Sequence, residues 1–201
     1  MTRRMFDVAL ATTLALAGCA CVTSGVAAAE PTTDPSTTAD APSPTDDALS
    51  VGGGATDSWS GYLPDNTTLS PFDTSSQILA LLDPALLTAI QDAARSAQAQ
   101  GVGITITSGW RSKGFQQRLF DDAVRRYGSV AMAQQFVASP ETSRHVVGEA
   151  VDIAGNGASA WLIRNGPQFG LCQIYANENW HFELATDAEG RCPPLRPNAA
   201  G

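Results

Sequence analysis

From Trp59 onward the apolar positions change period several times, and each change marks an element. Leu86, Leu87, Ile90, Ala93, Ala94 and Ala97 recur at helical spacing. Asp83 ahead of Pro84 provides a cap and a first-turn proline, and Gly101 a stop, so a core helix is predicted between them. Residues 102–107 alternate and are rich in β-branched side chains, which predicts a strand. Helical spacing returns over 113–127, where Phe115, Leu119, Phe120 and Val124 form the inward face and Gly128 ends the run. Ser129 is placed to cap a third helix extending to Ala138, and 139–142 reads as a loop. Residues 151–154 predict a second strand, and 159–165 a helix ended by Gly166 and Pro167. The last two strands are expected at 173–176 and 180–184, joined by a short turn through Asn177. Helices come early and hairpin-related strands late. That order predicts an α+β fold with a mainly antiparallel sheet.

Ahead of Trp59 the periodicity is absent. Arg3 and Arg4 precede an apolar run over 8–17, too short to cross a membrane as a stable helix but shaped like a secretory signal. Leu16-Ala17-Gly18-Cys19 resembles a bacterial lipobox, which would make Cys19 a lipidated first residue and a membrane anchor. Ala27-Ala28-Ala29 before Glu30 resembles a small-residue cleavage site, which would release a secreted protein instead. Thr2-Arg3-Arg4-Met5-Phe6 also resembles a twin-arginine export motif. Residues 30–58 contain no aromatic residue and no Lys or Arg, so they cannot bury enough apolar surface to offset their ordering entropy. The expected organisation is a signal peptide over 1–29, a disordered tether over 30–58 and one exported domain over 59–201.

The 201-residue chain carries a formal charge of −8, which argues against phosphate-driven binding of nucleic acid. Much of that acidity lies in the tether, at Glu30, Asp34, Asp40, Asp46, Asp47 and Asp57, so it says little about the domain's chemistry. A monomer is expected. Cys172 and Cys192 stay with the domain after export, and in an oxidising compartment they are expected to pair and tie the tail to the sheet. Closing a loop of about 20 residues contributes about 3 kcal/mol in the chain-entropy view.

The chain has two histidines. His145 lies seven residues before Asp152, and His181 ends the run Glu178-Asn179-Trp180-His181. Two imidazoles and a carboxylate form a donor set suited to one catalytic zinc per chain, with a fourth position left to water. Glu178, three residues before His181, is placed to move that water's proton. Glu149 and Glu183 are nearby competitors for that role, and Glu183 shares a strand face with His181. Arg111 sits between a strand and a helix, where a guanidinium can bind a substrate carboxylate or the charge that develops during attack on an amide.

Ser143-x-His145-x-x-Gly148-x-Ala150-x-Asp152, together with Glu178-x-Trp180-His181, resembles the zinc D-alanyl-D-alanine carboxypeptidases of the vancomycin-resistance (VanY-like) type. Ser108-Gly109-Trp110-Arg111-Ser112, with Gln116 and Leu119-Phe120, resembles the upstream motif of the same family. The family more often has Tyr at the Trp110 position and Pro at the Asn179 position; neither change touches a ligand. The resemblance covers about 86–184 and implies the hedgehog/DD-peptidase fold. It implies His145, Asp152 and His181 as zinc ligands, Glu178 as general base, and Arg111 as the group that handles substrate charge. Ser143 and Gln116 are implied to help grip the substrate. Trp110 and Trp180 read as core or pocket wall, and Gly148 and Ala150 as small residues that let the backbone pack behind the metal.

The function this implies is removal of D-Ala from peptidoglycan stem peptides in the cell wall. An L,D-carboxypeptidase or endopeptidase of the same fold is the alternative within enzymes. A non-catalytic module that binds wall peptides is the alternative outside them. Retention of both Glu178 and Arg111 favours the enzyme.

Overall fold

The computed structural model describes residues 59–200. The expected signal peptide, tether and Cys19 lie outside them. A short helix α1 (Gln77–Ala80) leads into α2 (Pro84–Gln98), β1 (Thr105–Ser108), α3 (Lys113–Tyr127), α4 (Val130–Ala133) and β2 (Val151–Ala154). Then follow α5 (Ala158–Asn165), a 3-10 turn (Gly166–Phe169), β3 (Leu171–Gln173) and β4 (His181–Leu184). The four strands form one sheet in the order β1-β2-β4-β3, with every neighbouring pair antiparallel. The expected α+β class and antiparallel sheet are what the molecule has.

Local chemistry accounts for the best-defined elements. The Asp83 carboxylate accepts from the Ala85 and Leu86 amides at 2.8 and 3.1 Å, so α2 starts where the sequence placed its cap. Ser112 caps α3 by accepting from the Phe115 amide, and Gly128 closes it in the left-handed region at φ 78°. Leu86, Ile90, Ala93 and Ala97 of α2 and Trp161 and Leu162 of α5 bury themselves with Ile106, Val151, Ile153, Leu171 and Phe182 of the sheet. This is the apolar core, and its burial supplies the main driving force for the fold. Along β2, Val151 and Ile153 enter that core, so the pleat turns Asp152 to the opposite face.

Three expectations about local structure are corrected. The third helix ends at Ala133 rather than Ala138, although Ser129 caps it by accepting from Met132. Beyond Ala133 the carbonyls are captured from elsewhere: Gln135 O by Asn177 at 3.0 Å, and Ala138 O by Gln116 at 2.8 Å. The strand expected at 173–176 lies earlier, at Leu171–Gln173, because Ile174 and Ala176 bond to Arg196 of the tail instead of to β4. On α3, Phe115 is buried as expected, whereas Leu119, Phe120 and Val124 are only half-buried and Ala123 and Gln116 take the deep positions.

Candidate metal and peptidase site

Asp152 and His181 are direct partners in the β2–β4 ladder, so their side chains leave the same face of the sheet side by side. His145 comes from the loop after α4. That loop docks on the β1–α3 connection through two reciprocal bonds: the Arg111 amide donates to His145 O, and His145 Nδ1 donates to Gly109 O at 2.7 Å. Gly109 has to be glycine here, because a Cβ would lie 2.5 Å from the Ile78 carbonyl. Gly148 carries φ 75°, and its Cβ would meet Leu81 O at 2.4 Å. It packs on the α1–α2 corner, not behind the donor cluster, which corrects the reason expected for its small size. Ala150 is fully buried.

Three atoms converge. His145 Nε2, His181 Nδ1 and Asp152 Oδ1 are separated by 3.2, 3.1 and 3.3 Å. A tetrahedral zinc with bonds of about 2.0–2.2 Å holds its ligands about 3.3–3.6 Å apart, so the triangle is close to the size required. The proton inventory supports the fit. Gly109 O can only accept, so His145 Nδ1 carries its hydrogen and leaves Nε2 a lone pair. Glu183 Oε1 sits 3.0 Å from His181 Nε2 and likewise fixes the hydrogen there, which leaves Nδ1 a lone pair. Two lone pairs and a carboxylate oxygen facing one another call for a cation. All three residues are buried, and they are a group of donors able to hold a metal ion.

Titration follows from the same geometry. Burial pushes Asp152 up, but the neighbouring histidines and Arg111 outweigh it and hold its carboxyl well below the usual range. Burial, helped by Arg111, lowers His145. Burial also works against a charged His181, yet Asp152 and Glu183 overcome it and raise the ring to about 9. A cation held by the three donors would compete with that proton for His181 Nδ1.

Glu178 sits on the loop between β3 and β4, with its Oε2 4.0 Å from His181 Nδ1. Its Oε1 is buried with no hydrogen-bond partner among the described residues. Desolvation raises its pKa, with Asp152 adding to the rise and His181 opposing it. A half-buried carboxylate with one free oxygen beside a metal-sized donor cluster is equipped to accept a proton. Glu149, the rival, pairs with Arg144. Glu183, the other rival, is occupied by His181 and lies 3.6 Å from Arg144 Nε. Glu183 is therefore an orienting group for His181. The sequence signal for this was its i+2 position on the same strand face.

Arg111 lines the cleft but is largely committed to protein acceptors. Its Nη2 donates to Asp152 Oδ2 at 2.7 Å, its Nε to Ser108 Oγ at 2.8 Å and its Nη1 to Gln116 Oε1 at 3.2 Å. Three of the guanidinium's five N–H groups are thus used. Gln116 is 1% exposed and spans from Ala138 O to Arg111. This geometry makes it a brace for Arg111, where sequence reading suggested a substrate grip. Ser143 is buried and lines the cleft. Trp110 packs against the core, whereas Trp180 stands 44% exposed on the cleft rim. The cleft holds about 250 Å3 and gathers Arg111, Ser143, Glu178 and the three donors into one space. Cys172 and Cys192 form the expected disulfide.

Two nitrogens and one carboxylate oxygen beside a desolvated carboxylate are a donor set of the kind found in mononuclear metallohydrolases. The family model for VanY, D-alanyl-D-alanine carboxypeptidase, matches residues 80–187, more than half of the chain. The chain belongs to that family. A D-alanyl-D-alanine carboxypeptidase of Enterococcus faecalis is 33% identical over 118 residues, covering 46% of this chain and 44% of that protein. The chain thus spans less than half the length of this curated relative. Among solved structures, a zinc complex of a variant of the vancomycin-resistance D,D-pentapeptidase VanY, from a VanB-type cassette, is 31% identical. It covers 51% of this chain and 71% of that one, with a TM-score of 0.47. A VanYB complex with D-alanine-D-alanine is 30% identical, covers 51% and 70%, and has a TM-score of 0.48.

Proposed function

We propose that this protein is a zinc-dependent D-alanyl-D-alanine carboxypeptidase acting on peptidoglycan stem peptides. The observation that carries this reading is the convergence of His145 Nε2, His181 Nδ1 and Asp152 Oδ1 beside the unpartnered Glu178 Oε1. Zinc held by His145, Asp152 and His181 would polarise the scissile carbonyl and acidify a water molecule.

The chain's own residues do the rest. Glu178, made more basic by desolvation, accepts the proton of the attacking water and delivers it to the departing amine. Arg111 holds Asp152 in place and keeps two N–H groups, with which it meets negative charge on the substrate or on the attacked oxygen. Gln116 and Ser108 fix the plane of that guanidinium. Ser143 offers a hydroxyl to the substrate from the cleft wall. Glu183 holds His181 in the tautomer that presents Nδ1.

Residues 8–19 and the Cys172–Cys192 disulfide support an exported protein, and the Cys19 motif supports a lipid anchor. Membrane fractionation of wild type against Cys19→Ala tests the anchor. A soluble wild type that starts at Glu30 rejects it.

The activity test uses the zinc-loaded protein and three peptides. One ends in D-Ala-D-Ala, one is the same peptide amidated at its C-terminus, and one ends in L-Lys-D-Ala. Release of D-Ala from the first alone is the expected result. Preferential cleavage of the third makes it an L,D-carboxypeptidase. Release from none of them, with zinc bound, leaves a binding module.

A further inference from the structure

Three consecutive amides in the connection between β1 and α3 are claimed by three different segments. Trp110 N donates to Ile78 O of α1 at 2.9 Å, Arg111 N to His145 O at 3.1 Å and Ser112 N to Ser60 O at 2.8 Å. Arg111 therefore sits where α1, the His145 loop and the segment after Trp59 meet. Two of the three acceptors, Ser60 and Ile78, lie ahead of the matched residues 80–187.

The contact with the segment after Trp59 is close. Gly61 has φ 81°, and a Cβ there would overlap the Trp110 carbonyl oxygen and lie 2.9 Å from Arg111 Cα. Glycine alone lets this segment lie against the Trp110–Arg111 backbone. Ser60 and Gly61 are buried. Tyr62 meets Phe115 of α3 edge-on, with ring centroids 5.8 Å apart. Tyr62 and Leu63 also share the lining of one small cavity with Ser108 and Arg111. Further on, Leu69 and Ile106 exchange both backbone bonds at 2.9 Å, which ties the segment to β1. From the backbone position so fixed, the Arg111 side chain reaches Ser108, Gln116 and Asp152 at once.

We infer that residues 60–62 are a strap that positions Arg111, so that the working unit begins at this strap and not at residue 80. The inference rests on the carboxypeptidase reading for the substrate charge that Arg111 meets. Ser60, Gly61 and Tyr62 are positioning residues. None of them lines the cleft that gathers the donors, so they act through Arg111.

The experiment is a double-substitution cycle in the full-length zinc-loaded protein: wild type, Gly61→Ala, Arg111→Ala and the pair. Gly61→Ala is expected to lower kcat/KM for a peptide ending in D-Ala-D-Ala about 10–100-fold, the scale of loss when a positioned group moves by about 1 Å. In the Arg111→Ala background the same substitution is expected to cost less than about threefold, because the group it displaces is gone. A general loss of structure would lower both backgrounds alike. A second readout needs neither metal nor substrate. The Arg111 Nε–H, bonded to Ser108 Oγ, should give a protected nitrogen–proton resonance, assigned by its loss in Arg111→Ala. Gly61→Ala should shift or broaden it. Zinc content and melting profile confirm that the variants are folded; should Gly61→Ala fail to fold, Tyr62→Ala takes its place in both measurements. No loss in Gly61→Ala, equal losses in both backgrounds, or an unchanged resonance overturns the strap while leaving the carboxypeptidase reading intact. A zinc-loaded wild type that releases no D-Ala overturns that reading, and the resonance then decides the strap by itself.

Discussion

On the sheet side of the cleft, Asp152 and His181 face each other across a hydrogen-bonded ladder, and both are buried. Each side chain there is held more than once: Asp152 by both histidines and Arg111, His181 by Asp152 and Glu183. On the loop side, Glu178 lies on a connection secured by point contacts, among them the Asn177–Gln135 bond, the Ile153 amide on the Trp180 carbonyl, the short ladder to Arg196 and the nearby disulfide. One of its carboxylate oxygens has no partner among the described residues. The over-determined side suits a metal, which needs fixed donors at fixed separations. The loosely held side suits a group that must gain and lose a proton and a wall that must admit substrate. Substitutions on the two sides should therefore fail differently. Sheet-side changes should lower metal affinity, while loop-side changes should leave the metal in place and alter turnover or selectivity.

The largest effect is expected from Glu178→Gln, which keeps size and removes basicity. It should retain zinc while turnover of a D-Ala-D-Ala peptide falls by about 10²–10⁴. Loss of zinc in this variant would erase the proposed division between the two sides. Next is Glu183→Gln, which leaves His181 without its anionic orienter. We expect metal affinity, read by competition with a chelator, to drop about 10–100-fold. An affinity equal to wild type would show that the sheet side is not held as described.

Smaller still is the effect of pH on zinc binding. Without metal, His181 keeps its proton up to about 9, while Asp152 is ionised and His145 is lowered. Binding at neutral pH must therefore release one proton. Affinity should rise about tenfold per pH unit and level off above His181's pKa. The metal-free fold carries the opposite sign. Stability from the raised His181 is fully present below about 6.5 and is lost as pH rises through about 9. A pH-independent affinity would mean that His181 binds metal from an already neutral state.

How far the sequence foretold this arrangement depended on the range of the interactions. Elements bounded by their own caps were legible. The α3 and β2 spans match their expected limits, because Ser112, Gly128 and the alternation at 151–154 act locally. The donors were legible because two histidines in a chain of 201 leave few ways to build such a set. What the sequence hid depends on contacts far apart along the chain. Arg111 is drawn to Asp152, 41 residues away, and the carbonyls of Ala138 and Gln135, beyond α4, go to Gln116 and Asn177. β3 moves forward because Arg196 claims the backbone behind it. Gly148 was placed behind the metal by motif, whereas its packing against Leu81 is a matter of tertiary contact.

The smallest effect concerns that glycine. Gly148→Ala forces an L side chain to φ 75° against the Leu81 carbonyl, and should cost about 1–3 kcal/mol in chemical denaturation. A wild-type denaturation midpoint would mean that the α1–α2 corner yields, and would remove its support for the His145 loop.

The most direct test of the central claim is anomalous scattering at the zinc edge from crystals of the metal-loaded protein. One peak is expected, bonded at about 2.0–2.2 Å to His145 Nε2, His181 Nδ1 and an Asp152 oxygen, with an open position toward Glu178. A peak bonded through His181 Nε2, or one lying away from these three residues, would contradict it.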